Sequence, residues 1–167
     1  MAICGSFLGG HKHDWENIVV FAQGDSVKWV SPSCHGGYEH GSATPRMEGL
    51  RPKMVFHKDG AGTHCFRHAN ESDDQIENDT GAWFSGPLLG FNSWPSNDLR
   101  DKMLRNWSGG IGPKLDDEFE GALRAAAGNN VSFVSFHVNV TRGLRFVCRS
   151  LASIPPSTPK LMAAFIL

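Results

Sequence analysis

The order in which local patterns succeed one another constrains the fold most. From Trp15 to Ala69 the chain is written in short β-branched and aromatic runs broken by glycine, and helical spacing begins only after Pro95. Strands first and helices later is an α+β pattern, a mainly antiparallel sheet carrying helices on one side. Trp15 to Phe21 (WENIVVF) reads as a strand entered from Gly9-Gly10, and Gly24-Asp25 as the turn that follows. Val27–Val30 and Met54–His57 are further strands, the latter closed by Lys58-Asp59-Gly60 and paired as a hairpin with Thr63–Ala69. Ser31 to Pro52, dense in Gly, Pro, Ser and His, has the composition of a long functional loop.

Two helices are legible beyond it. Leu99, Met103, Leu104 and Trp107 recur at helical spacing after Pro95-Ser96, with Asp98 and Asp101 early, where the macrodipole favours acids. Phe119, Ala122, Leu123 and Ala126 form a second stripe, preceded by Asp116, Asp117 and Glu118 and stopped by Gly128. Val134 to Thr141 alternates as a strand, and LMAAFIL at the end is an exposed apolar tail unless something pairs with it.

At 167 residues, 40% hydrophobic and 20% charged, the chain is one globular domain rather than a disordered tail, a collagen or a coiled coil. A formal net charge of -1 with scattered Lys and Arg argues against nucleic acid as a partner. The longest apolar runs, Ile18–Ala22 and Leu161–Leu167, fall far short of the roughly 20 residues that span a bilayer as a helix. Cys4, Cys34, Cys65 and Cys148 fit either two disulfides, in any of three pairings, or free thiols. The Asn-X-Ser/Thr acceptors at Asn70, Asn78, Asn106, Asn130 and Asn139 favour secretion, although no signal peptide is visible at the start.

The chemistry concentrates in Gly10-His11-Lys12-His13-Asp14-Trp15-Glu16. Asp14 and Glu16, two apart on a strand entry, share a face and supply the oxygen ligands that Mg²⁺ or Ca²⁺ requires. His11, next to two glycines, folds toward them as a ligand or through water. Paired carboxylates buried without a cation would repel until one protonated. A solvated, charged strand entry is the plain alternative, and a zinc hydrolase is another, short of ligands unless other segments contribute. Cys34 and Cys65 each adjoin a histidine, which suits a Cys-His nucleophile, but a disulfide or an inert thiol is the better reading. Trp83, Trp94 and Trp107 are core candidates.

GHKHDWE closely resembles GHRHDWE, the hallmark heptapeptide of the necrosis- and ethylene-inducing peptide-like proteins, secreted cytolysins of fungi, oomycetes and bacteria. Ser33 to Tyr38 (SCHGGY), Thr63-His64, the helix before Trp107 and Asp117-Glu118-Phe119 follow in family order, so that the likeness runs from about Gly9 to Gly128. Lys12 stands where the family has Arg, and the acidic ligand that the family carries upstream of the heptapeptide has no counterpart before Asp14. The resemblance implies an actinoporin- and fungal-lectin-like β-sandwich flanked by helices, incomplete on its N-terminal side. It divides the chain into a partial necrosis-inducing domain, 1–128, and a C-terminal extension, 129–167.

It also implies a divalent cation, Ca²⁺ or Mg²⁺, held by Asp14, Glu16 and His11, with His13, Trp15 and His64 lining the glycan or lipid cavity. The partner implied is a glycosylated sphingolipid in the outer leaflet of the plant plasma membrane, bound by a secreted monomer that then permeabilises the bilayer. No bond is broken, so the chain is not expected to be an enzyme. A non-cytolytic or degenerate lectin-like relative is the first alternative and a metal-dependent hydrolase the second.

Overall fold

The computed structural model describes residues 15–23, 25–39, 41–60, 63–75, 80–87, 94–107, 112–129 and 161–166. Within them lie eight strands, a 3₁₀ turn at Glu71–Asp74 and two helices. Strands β1 (Ile18–Gln23), β2 (Ser26–Cys34) and β3 (Gly37–Tyr38) run consecutively. Two hairpins follow, β4 (Met47–Glu48) with β5 (Arg51–Pro52) and β6 (Met54–Asp59) with β7 (Thr63–His68). Helices α1 (Asn97–Arg105) and α2 (Phe119–Ala127) precede β8 (Leu161–Ile166). The main sheet has the order β3-β2-β1-β8, and every pairing in it is antiparallel. The α+β expectation therefore holds.

Strand β1 sits at the centre of three layers. Ile18, Val19, Val20 and Phe21 are all buried, which a half-solvated strand would not show. Val19 and Phe21 point to one side, into a core closed by Leu115 and by Phe119, Leu123, Ala126 and Ala127 of α2. Ile18 and Val20 point to the other, joining Val30 against Met54 and Phe66 of the β6–β7 hairpin. The period-2 geometry of a strand thus serves a helix and a hairpin from one short apolar run.

A β-bulge makes the register work. Phe21 pairs with Trp29 and Ala22 with Val27, which leaves Lys28 as the extra residue of β2. Val27 and Trp29 would share a face in a regular strand. Across the bulge they separate, Val27 packing toward the hairpin and Trp29 toward α2. Without that slip every apolar side chain on one half of β2 would turn to the wrong layer.

Three expectations change on contact with the structure. Ser31–Cys34 continues β2 instead of opening a loop, and Gly37–Pro52 contains three short strands. The small polar residues that look like loop composition satisfy buried bonds here: the Ser31 hydroxyl donates to the Ala126 carbonyl (2.5 Å) and accepts from the Trp29 indole (3.0 Å). Pro32 lends only its carbonyl, to the Glu39 amide at 3.0 Å. The LMAAFI part of the apolar tail is drawn in as β8, Ile18 pairing with Ile166 and Gln23 with Leu161. Helix α1 starts where the sequence places it, with the Ser96 hydroxyl accepting from the Leu99 amide at 3.1 Å, yet Leu99 is exposed and only Leu104 reaches the core. Helix α2 buries the expected stripe and ends at Gly128, whose φ of 54° a side chain would strain. The Val134–Thr141 strand expectation lies outside the described residues.

Candidate functional site

Of the heptapeptide, Trp15 and Glu16 are described, whereas His11, His13 and Asp14 lie outside the described residues. Trp15 packs edge-on against Trp107, ring centroids 4.9 Å apart, which ties the entry of β1 to the segment after α1. Its indole N–H is buried and finds no acceptor among the described residues. The half-buried Glu16 carboxylate accepts from the Ser33 hydroxyl through Oε2, and no Lys or Arg among the described residues pairs with it.

Ser33 is itself immobilised. Its amide donates to the Asn17 carbonyl (2.8 Å) and its hydroxyl accepts from the Asn17 amide (2.6 Å), so that its one proton is directed to Glu16. Asn17 in turn accepts from the Tyr38 hydroxyl through Oδ1 at 3.0 Å. Burial pushes the Tyr38 phenol up to about 12; the bond to Asn17 works against this, and the negative charge of Glu16 adds to it. Asn17, Ser33 and Tyr38 therefore fix a carboxylate that has hydroxyl support and no basic partner among the described residues. That arrangement fits a hard divalent cation, which needs oriented oxygen donors.

His64 lies on β7, where its ring stacks on exposed Phe56 of β6 at 5.6 Å and Phe56 tilts against Phe66 at 5.1 Å. This makes an aromatic ledge on the hairpin. Trp83 is half-buried beneath the Lys53 ammonium, 5.1 Å from its ring centroid, and not in the core. Arg67 grips Asp73 with two 2.7 Å bonds and holds that carboxyl down to about 2, helped by the Asn70 amide.

Cys34 and Cys65 form a disulfide across a sequence separation of 31, linking the end of β2 to β7. With both sulfurs bonded there is no thiolate, and the Cys-His nucleophile is excluded in this state, even though His57 Nε2 lies 3.9 Å from Cys65 Sγ. His35 follows Cys34 with a φ of 52° and meets Asp59 at 2.7 Å. No local pattern marks Asn17 or, beyond its place in a turn, Asp59 as a site residue. Asn17 is legible only through the strand register, Asp59 only through the hairpin.

A disulfide-braced α+β protein with a half-buried, hydroxyl-supported carboxylate at the entry of its central strand is the class that this fold and site define, and the disulfide fits an oxidising, extracytoplasmic compartment. The chain belongs to the necrosis-inducing protein family: the family model described as Necrosis inducing protein (NPP1) matches residues 3–126. No curated protein and no solved structure matches it. Among the described residues no helix is long and apolar enough to cross a membrane.

Proposed function

We propose that the chain is a secreted cytolysin that docks on the sugar head group of a plant plasma-membrane sphingolipid through a divalent cation and then permeabilises the bilayer. Membership of a family of necrosis-inducing virulence proteins is the observation that carries this reading. The state of Glu16 supports it, because a carboxylate oriented by a buried hydroxyl and left without a basic partner among the described residues is suited to a cation. Asp14 and His11 would complete the ligand set, and the cation would supply the positive charge that orients sugar hydroxyls. Trp15, with its unsatisfied indole donor, and the Phe56–His64 ledge offer surfaces on which a sugar ring could stack. The actinoporin- and lectin-like sandwich belongs to the same proposal; the hairpin packed on the far face of the main sheet is consistent with it.

Dye-loaded vesicles with and without glycosylated inositol phosphoceramide, in Mg²⁺ or in chelator, test the reading. Leakage confined to the glycolipid vesicles, dependent on cation and reduced at least tenfold in Glu16→Gln, is expected. Binding without leakage would favour the lectin-like alternative. Absence of both would refute the proposal.

A further inference from the structure

The corner where β2, β6 and β7 meet carries a second constellation, separate from the heptapeptide. Cys34 Sγ, a His35 ring nitrogen, an Asp59 carboxylate oxygen and Cys65 Sγ all lie within 4.8 Å of one another. We propose that reduction of the Cys34–Cys65 bond converts this corner into a four-ligand site for zinc or a similar borderline-soft divalent cation, so that disulfide and metal are alternative clamps on the same joint.

The geometry favours this. Around a tetrahedral Zn²⁺ with ligand bonds of about 2.0–2.3 Å, neighbouring donor atoms stand roughly 3.3–3.8 Å apart. Four donors already within 4.8 Å need side-chain adjustment alone. The two sulfurs must part and His35 must release Asp59, which it now meets at 2.7 Å. The backbone is already set for convergence: the disulfide holds the two Cα atoms at 4.8 Å, and the left-handed φ of His35 turns the chain back immediately after Cys34. Two thiolates, an imidazole and a carboxylate are a donor set that zinc prefers to Mg²⁺ or Ca²⁺. His35 and Asp59, 47% and 46% exposed, form the open side through which an ion would enter, while Cys34 and Cys65 are buried.

The chemistry balances with a dithiol as reductant. Its thiolate attacks Sγ of Cys34, the less buried cysteine, the Cys34–Cys65 bond breaks, and the second thiol of the reductant releases the protein from the mixed disulfide. Two cysteine thiols and the oxidised dithiol result. The cation then displaces one proton from each thiol, and imidazole and carboxylate complete the shell. The exclusivity follows from the sulfurs, which have no anionic lone pair to give while bonded to each other.

The test uses the full chain with Cys4→Ser and Cys148→Ser, reduced with dithiothreitol, desalted anaerobically and titrated with Co²⁺. The reduced chain should develop the ligand-field bands of tetrahedral Co²⁺ and a thiolate charge-transfer band at one equivalent, both bleached by Zn²⁺. The oxidised chain should show neither. His35→Ala and Asp59→Asn should each weaken binding tenfold or more, and Glu16→Gln should leave it unchanged, which separates this site from the heptapeptide. Bands absent from the reduced chain, or unaltered by both ligand variants, would overturn the proposal. So would a reduced chain that melts without cooperativity and that Zn²⁺ fails to restore.

Discussion

Replacing Cys34 and Cys65 together by alanine removes the one covalent link, among the described residues, between the main sheet and the β6–β7 hairpin. The closed loop has a sequence separation of 31, and the chain-entropy relation for a cross-link of that size gives about 3.7 kcal/mol of stabilisation at 25 °C. Cys65 is fully buried, so loss of its sulfur adds a small cavity cost on top. What remains between the layers is the apolar contact of Ile18, Val20, Val27 and Val30 with Met54 and Phe66, together with the 2.7 Å contact of His35 with Asp59. For a domain whose whole stability is commonly about 5–15 kcal/mol, the loss is a large share. Urea unfolding of the oxidised chain and the double variant, followed by tryptophan fluorescence, measures it directly. The midpoint should fall, and the m-value should rise because the uncrosslinked denatured chain expands further. A loss below about 1 kcal/mol with an unchanged m-value would refute the reasoning, showing that non-covalent contacts hold the hairpin without the cross-link.

The chain has a single tyrosine, so phenolate absorbance reports Tyr38 alone. Native protein should titrate near 12 and urea-unfolded protein near 10; this contribution to stability is whole below pH 10 and lost as pH rises toward 12, and Glu16→Gln should move the native midpoint down. Asp73, held at about 2 by Arg67, acts in the opposite sense: its contribution is present above pH 4 and lost as pH falls toward 2, so Asp73→Asn should flatten the acid limb of a melting-temperature profile. A Cβ at Gly41 would stand 2.1 Å from the Trp29 indole nitrogen and 2.5 Å from the Ser31 hydroxyl. Gly41→Ala should cost about 1–3 kcal/mol in thermal unfolding with a change in the Trp29 environment by near-ultraviolet circular dichroism.

What the sequence reveals is what local physics dictates. Helix α2 is legible because its stripe, its acidic entry and Gly128 all agree, and the β6–β7 hairpin because its turn is written in Lys58-Asp59-Gly60. The heptapeptide announces chemistry through residue types alone. The supports of Glu16 are hidden, since Asn17 meets Ser33 only after the bulge at Lys28 has shifted β2 by one residue, and no local signal marks that bulge. The disulfide is hidden in the same way: four cysteines allow three pairings, and the choice is made by where β7 crosses the end of β2. Ser31–Pro52 misleads because hydroxyls suited to a loop also satisfy buried carbonyls and amides inside a sheet.

The pairing of β1 with β8 has a kinetic consequence. Ile18 is made 148 residues before its partner Ile166, so the central strand of the sheet waits with one edge open while the intervening chain is synthesised. Until β8 arrives, the amides and carbonyls of IVVFAQ form an apolar template on which the same segment of another nascent chain could dock. Closure over so long a loop is slow, and the yield of folded protein should depend on how quickly Leu161–Ile166 follows and on how dilute the chains still lacking β8 are kept.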